Sequence, residues 1–210
     1  MSRAKSRYEA NRSRMIAYGR WQPYTDAQPA RDHLAMLSRH GIGWMRAASL
    51  AGVSRGTVSK LLYGTPRSAP SRQVRPETEA RILAVTPRLE NMSPSAPVDA
   101  TGTRRRLQAL AATGWPVGRV AARLGWSRSK AGLVMRRDRV TVATALEVRA
   151  VYEQVAYRPC PAVSAYERAA ISRSVAHARR MGWAPPAAWD DEEIDDPAAR
   201  PRGMRRDEAA

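Results

Sequence analysis

The sequence predicts an all-α fold in which two tandem small helical units are followed by a C-terminal helix. Three observations support this prediction. Apolar residues recur at helical spacing in short segments, Gly and Pro residues separate these segments, and residues 31–62 align with residues 104–135 without a gap. Because apolar residues make up 43% of the 210 residues and Phe is absent, we expect two small cores rather than one large core.

The first helical unit is predicted at residues 25–86. Thr25 or Asp26 is placed to cap its first helix, and Ser54 is a natural N-cap for its third helix. Gly64 ends the third helix, and Pro76 stands in the first turn of the fourth. The four predicted helices span residues 26–40, 44–51, 54–63 and 76–86.

The second half of the chain repeats this plan. The gapless alignment contains nine identities, and they include the glycines and small residues that close helix packing requires. Arg31, Leu34, Leu37, Gly41, Arg46, Ala48, Gly52, Ser54 and Arg55 coincide, in that order, with Arg104, Leu107, Leu110, Gly114, Arg119, Ala121, Gly125, Ser127 and Arg128. We therefore predict a tandem duplication, with a Pro- and Ser-rich linker at residues 87–102 and a second unit at residues 103–158.

The chain carries a large positive charge. It has 36 Lys and Arg residues against 19 Asp and Glu residues, a formal net charge of +17. Such an excess indicates a polyanionic partner, either nucleic acid or an anionic membrane. Lys occurs only at Lys5, Lys60 and Lys130, and this dominance of Arg is typical of a GC-rich bacterial genome. Genome composition accounts for Arg over Lys but not for the net excess.

The N-terminal segment of the chain is basic, and the C-terminal tail is acidic. Residues 1–24 hold six basic residues and one acid without sustained helical periodicity, which predicts a basic arm, either solvated or lying along the polyanion. Ser164 and Glu167 have the spacing of a capping box and predict a C-terminal helix within residues 159–182. An acidic and disordered tail is predicted at residues 183–210.

The tail contains an acidic run in which six of the seven residues between Asp190 and Asp196 are Asp or Glu. Three interpretations of this run stay open. It is a solubility aid, a competitor of the polyanion for the basic surface, or a docking surface for RNA polymerase or another protein. In the last case Trp183 and Trp189 would be the anchors, because Trp is enriched at interface hot spots.

The segment AGVSRGTVSKLLYG at residues 51–64 predicts a helix-turn-helix. Ala48 is small enough to let two helix backbones approach each other, and Gly52 supplies the positive φ of a tight turn. The core between the two helices is predicted to contain Ala47, Ala51, Val53, Val58 and Leu61. The remaining positions of the second helix point outward, and such a helix fits the major groove of DNA.

This run, together with VRPETEARILAV at residues 74–85, resembles the DNA-binding headpiece of Lac-repressor-type regulators. It is still more similar to the small helix-turn-helix proteins of actinobacteria, their phages and their mobile elements, and RMGWAPPAAWDDEEIDDP at residues 180–197 looks like a tail of that group. The resemblance covers residues 30–86 and, less closely, the second copy. It implies DNA binding but no inducer control, since no sugar-binding domain follows. The residues that it implies are Ser54, Arg55, Thr57, Ser59 and Lys60.

Within these two helices, Arg55 is predicted to contact a base, because a bidentate Arg–guanine pair is the commonest specific contact. Ser54 and Lys60 are expected to contact phosphate. In the second copy Gly132 and Leu133 replace Ser59 and Lys60, so it either reads a different sequence or is kept for phosphate or protein contact. The predicted DNA-binding residues are Ser54, Arg55, Thr57, Ser59, Lys60 and Tyr63 near helix 54–63, and Ser127, Arg128, Lys130, Arg136 and Arg137 near helix 127–136.

These features predict a sequence-specific double-stranded DNA-binding protein, a repressor-like transcriptional regulator of a bacterium, phage or mobile element. The alternatives are a DNA-recognition subunit of a recombination, partition or packaging complex, and a sigma-like factor bound to polymerase. We expect a monomer with two reading units or a weak dimer, located in the cytoplasm on the nucleoid.

Enzyme activity, a cofactor, a metal site and a membrane role are not expected. Cys160 stands alone, and the three His residues lack the spacing of metal ligands. The acidic residues of a two-metal nuclease come from separated rigid elements, whereas here they form one contiguous run. No stretch approaches the about 18 apolar residues that a membrane span needs.

Overall fold

The structure is a computed structural model that describes residues 3–19, 23–190 and 193–203. It is mostly helical, and within these ranges lie ten α-helices, two 3-10 turns and four short strands. The chain divides into two compact units, residues 1–93 and residues 94–210.

Unit 1 combines helices with one two-stranded antiparallel sheet. Its elements are α1 (Arg3–Ala17), β1 (Thr25–Asp26), α2 (Gln28–Arg39), α3 (Trp44–Leu50), α4 (Arg55–Tyr63), β2 (Gln73–Val74) and α5 (Pro76–Leu83), followed by a 3-10 turn (Leu89–Asn91). Thr25 lies opposite Val74 in the sheet. The core beneath α2, α4 and α5 consists mainly of Leu34, Leu37, Ile42, Val58, Leu61 and Ile82.

Unit 2 has the same order of elements as unit 1 has from β1 onward, and then continues further. Its elements are β3 (Pro97–Asp99), α6 (Thr101–Ala112), α7 (Val117–Arg123), α8 (Arg128–Val134), β4 (Arg139–Thr141), α9 (Val142–Val155) and α10 (Ala165–Arg180), followed by a 3-10 turn (Pro186–Ala188). Val98 lies opposite Val140 in the sheet. Leu107, Leu110, Trp115, Val120 and Val148 are among its buried residues.

The internal repeat is therefore a strand, three helices, a return strand and a helix. The two sheets are closed by equivalent hydrogen bonds, from the Ala27 amide to the Arg72 carbonyl (3.0 Å) and from the Ala100 amide to the Asp138 carbonyl (2.9 Å). The sequence did not predict these sheets, because strands of two or three residues are too short to show an alternating pattern. The copies differ in the loop before the return strand, which spans residues 64–72 in unit 1 and 135–138 in unit 2.

The structure differs from the expectation at the basic arm and at the linker. Residues 3–17 form α1, whose side chains are largely exposed from Glu9 onward. This segment contains no Gly or Pro and is rich in good helix formers, so it adopts a helix without the apolar face that periodicity detects. Residues 87–102 are divided between the units rather than free: Met92 packs on the first core, and β3 pairs within unit 2.

The acidic tail also differs from the disordered segment that was expected. The described residues 193–203 pack against α6, where Ile194 is 1% exposed. The side chain of Arg106 is 7% exposed and pairs with Asp195, with 2.8 Å between Nη2 and Oδ2. Arg105 donates to four carbonyls of this segment: those of Ile194, Asp196, Pro197 and Ala199. Asp191, Glu192 and residues 204–210 lie outside the described residues.

The predicted capping box at the start of α10 is confirmed. The Ser164 hydroxyl accepts from the Glu167 amide (3.2 Å), and the Glu167 carboxylate accepts from the Ser164 amide (3.1 Å). The Glu167 carboxylate also accepts from the Val163 amide (2.7 Å) and pairs with Arg119 of α7. The backbone hydrogen bonds from Ser164 and Val163 lower the pKa of Glu167 below its usual 4.5, and the nearby Arg119 acts in the same direction.

We predict that Gly102→Ala releases the tail from α6. A Cβ atom at this position would overlap the Asp195 carboxylate and would meet the Arg106 guanidinium at 2.9 Å. The expected result is a loss of about 1–2 kcal/mol in the free energy of unfolding, with faster proteolysis between residues 183 and 203. Gly118→Ala is the matched control, since its nearest neighbour would be Arg128 Nε at 4.0 Å. Equal proteolysis of the two variants would contradict this role of Gly102.

We predict that Glu167→Gln destabilises the protein more at pH 7 than at acidic pH. Because folding lowers the pKa of this carboxyl, its stabilisation is present above the usual pKa of 4.5 and is lost as the pH falls through the lower folded value. The difference in melting temperature between wild type and variant should therefore shrink on acidification. Glu153→Gln removes an exposed i,i+4 partner of Arg149 and serves as the control. A difference that stays constant with pH would count against the argument.

Candidate nucleic-acid interface

The turn between α3 and α4 positions the outward face of α4. Gly52 has a φ of +62°, and the Val53 amide donates to the Ala48 carbonyl (2.9 Å). Ala47 and Ala48 are buried where the two helices meet, as predicted. Val58 and Leu61 fill the core as expected, whereas Ala51 and Val53 are only half-buried at its edge. The buried side of α4 is thereby fixed, and the opposite side faces solvent.

Five of the six predicted site residues of unit 1 are exposed, and Ser59 is half-buried. The Ser54 hydroxyl caps α4 by accepting from the Thr57 amide (3.1 Å), and it also lies 2.8 Å from the Thr57 hydroxyl. Arg55 and Lys60 are exposed, and no carboxylate belongs to α4. Tyr63 is 63% exposed and meets the Trp44 ring edge-on, with 6.1 Å between ring centroids. The outward face of α4 is thus cationic and hydroxyl-rich.

The corresponding residues of unit 2 are all exposed, but they do not all belong to one helix. Ser127 caps α8 by accepting from the Lys130 amide (3.1 Å). The helix ends at Val134, so Arg136 and Arg137 follow it instead of completing the expected helix 127–136. This shortening accompanies the shorter loop to β4, which leaves less chain for a further helical turn. Leu133 occupies the position of Lys60 and is 48% exposed.

The core of unit 2 accommodates an indole at the position of Val53. Trp126 is 8% exposed, and its Nε1 donates to the carboxylate of Glu147 on α9 (2.9 Å). The Lys130 ammonium lies over this ring, 4.2 Å from the centroid, and so makes a cation–π contact within the unit. The cationic face of α8 therefore depends on Arg128, Arg136 and Arg137 more than on Lys130.

Two pairs of equivalent arginines hold the framework rather than face solvent. Arg31 donates to the Ser71 carbonyl (2.6 Å), and Arg104 donates to the Arg137 carbonyl (3.4 Å). Sequence reasoning found these arginines as identities of the repeat but did not assign this role to them. The presence of an arginine at this position in both copies could have indicated the role, because a contact within the unit recurs in each copy.

The second pair lies on α3 and α7. Arg46 donates to the carbonyls of Asn91 (2.6 Å) and Glu90 (3.1 Å), which follow α5. Arg119 donates to the Pro161 carbonyl and pairs with Glu167, which follow α9. In unit 1 this arginine connects α3 to the segment that follows α5. In unit 2 it connects α7 to the segment that follows α9. Neither guanidinium is free for nucleic acid.

The two tryptophans that were expected as anchors of the tail make contacts inside unit 2. Trp189 lies beneath Arg105, with 4.5 Å between the guanidinium carbon and the ring centroid. Trp183 meets His177 edge-on, with 5.0 Å between ring centroids. Both rings are half-buried and hold the tail and the end of α10 in place.

No protein-family model matches the chain, and neither a curated protein nor a solved structure matches it. Among the described helices none is both long enough and apolar enough to cross a membrane. In the same part of the chain, no group of three or more His, Cys, Asp or Glu side chains is arranged to hold a metal ion.

We predict that replacing a framework arginine lowers the free energy of unfolding more than replacing an arginine of the outward faces. Arg46→Ala and Arg119→Ala each remove charge-assisted hydrogen bonds, one of them to a half-buried residue (Asn91 or Glu167), and should cost about 1–3 kcal/mol in the free energy of unfolding. Arg55→Ala and Arg128→Ala, on the exposed faces, should change it by less than about 0.5 kcal/mol. Chemical denaturation of the four variants measures both values. A loss at Arg55 as large as that at Arg46 would contradict the assignment.

Proposed function

We propose that this protein binds double-stranded DNA in a sequence-specific way and regulates transcription in a bacterium, phage or mobile element. The observation that carries the proposal is the outward face of α4. It presents Arg55, Lys60 and Tyr63 on a helix whose other side is buried, and it includes no acidic residue. Nine helical residues extend about 13 Å, a length that suits the major groove.

In this proposal α3 and α4 form the helix-turn-helix, and α4 is the reading helix. Arg55 stands in the first turn of α4, the part of a reading helix that reaches base edges. Ser54 and Thr57 use their hydroxyl groups for the cap, which leaves Arg55 as the residue for base contact and Lys60 for phosphate contact. The net charge of +17 supports binding to the phosphate backbone.

The second helix-turn-helix, α7 and α8, has the weaker claim to base reading. Its reading helix has seven residues, and Gly132 and Leu133 replace the polar pair Ser59 and Lys60. We therefore assign phosphate contact to Arg128, Arg136 and Arg137. Two such units on one chain favour a monomer on an asymmetric site on the nucleoid, since a single unit reads only a few base pairs.

The proposal predicts that Arg55→Ala loses specific DNA binding, while Arg39→Ala does not. Arg39 is an exposed residue of the last turn of α2 and does not belong to α4. Its replacement by Ala removes the same charge as Arg55→Ala does. Wild-type protein is used to select fragments of a GC-rich bacterial genome at about 150 mM salt, where non-specific binding is weak. Affinity for the selected site should fall about tenfold or more with Arg55→Ala, because a bidentate base contact contributes about 1–3 kcal/mol.

Two outcomes would overturn the proposal. One is a selected pool without an enriched motif, which would mean that the charge binds DNA of any sequence. The other is an equal loss of affinity in Arg55→Ala and Arg39→Ala, which would mean that only total charge matters. Melting curves of both variants show whether the comparison is made between folded proteins.

A further inference from the structure

A cleft of about 530 Å³ opens beside α8 in unit 2. Its apolar walls are formed by Val117 at the start of α7, Met135 after α8, and Met181 and Trp183 after α10. Two guanidinium groups, those of Arg128 and Arg136, line the same cleft. Its volume lies in the range of sites that hold small organic molecules, about 300–1,000 Å³.

In unit 1, larger side chains stand at positions equivalent to those that line the cleft. In the repeat alignment Trp44 corresponds to Val117 and Ser59 to Gly132, and one residue beyond its end Tyr63 corresponds to Arg136. The Trp44 and Tyr63 rings meet edge-on and cover this side of α4. In unit 2 both aromatic rings are replaced, and the end of α10 supplies Met181 and Trp183 as a new wall. The residues that line the cleft therefore differ from their counterparts in unit 1.

The charge of the cleft is positive and uncompensated. Within the described part of the chain, the guanidinium groups of Arg128 and Arg136 form no ion pair and donate no hydrogen bond to a protein group. Gly132 leaves the helix surface open beneath Arg136, whose Nη2 lies 4.0 Å from where a Cβ atom would stand. Two unpaired guanidinium groups beside an indole and two thioethers match a ligand with one negative charge and a flat apolar body.

We infer that this cleft binds a small aromatic carboxylate. The carboxylate accepts charge-assisted hydrogen bonds from Arg128 and Arg136, and the aromatic ring packs on Trp183 and between the Met side chains. The consequence for DNA rests on the proposed function: the same two guanidinium groups are assigned to phosphate, so the bound ligand and DNA compete for them. The ligand then lowers affinity for DNA, and DNA lowers affinity for the ligand by the same factor.

The test measures ligand binding to the full chain without DNA. Indole-3-acetate is titrated calorimetrically, with indole-3-acetamide as the neutral analogue and acetate as the anion without a ring. We expect saturable 1:1 binding of indole-3-acetate, about tenfold weaker binding of the amide and none of acetate, since each removes one of the two recognition features.

Variants locate the binding in the cleft. Val117→Trp and Gly132→Ser restore the residues of unit 1, and Arg136→Gln removes one guanidinium group. Each should weaken indole-3-acetate binding about tenfold or more. Arg179→Gln, at an exposed residue of α10 that does not line the cleft, should stay within about twofold. Melting curves identify any variant that fails to fold. If Val117→Trp or Gly132→Ser fails to fold, Arg136→Gln decides the test, because Arg136 is exposed.

The inference is overturned if indole-3-acetate shows no saturable binding up to about 10 mM. It is also overturned if the amide binds equally well, or if Arg136→Gln binds as wild type does. DNA affinity is measured separately, with and without indole-3-acetate. Ligand binding by a protein that does not bind DNA would reject the proposed function alone, whereas DNA binding without ligand binding would reject the cleft alone.

Discussion

The close approach of two short helices in each unit is the constraint on which the rest of the structure depends. A buried alanine carbonyl accepts from an amide five residues later, from Val53 to Ala48 (2.9 Å) and from Trp126 to Ala121 (2.8 Å). Larger side chains than Ala48 and Ala121 would push the helices apart and uncover the apolar residues beneath α4 and α8. Which face of each second helix meets solvent follows from this contact.

The basic residues form two classes that the net charge does not distinguish. Arg31, Arg46 and their counterparts donate to backbone carbonyls and join segments that are distant in the chain. A guanidinium group is suited to this role, since it offers five donors in a rigid plane and stays charged. The arginines of the outward faces have a different surrounding, with few acidic neighbours and wide exposure. A mutation that removes positive charge therefore acts on folding or on the surface, according to its class.

The two units share a framework and differ in the residues around it. The strand pairing, the turn glycines at 52 and 125, and the serine caps are shared. Unit 1 has the Trp44 and Tyr63 rings and polar side chains on the outward side of α4. Unit 2 lacks these rings and contains α10, which packs on α6 through a hydrogen bond from the Ser174 hydroxyl to the Ala111 carbonyl (3.1 Å). Under the two proposals, one copy reads DNA and the other couples DNA contact to a small molecule.

The sequence by itself determined most helices of the repeat and the serine caps, but neither α1 nor the cap of α2, which begins after Ala27 instead of at Thr25 or Asp26. Ser54, Ser127 and Ser164 each bond an amide three residues away, and such local contacts are visible in a short window of sequence. The small sheets, the packing of the acidic run and the partners of the arginines were decided only by tertiary structure. Arg106 and Asp195 are 89 residues apart in the chain. Without knowledge of this buried partner, an acidic run predicts only a solvated tail. The cleft likewise needs α10 beside α8, a proximity that no spacing within either helix encodes.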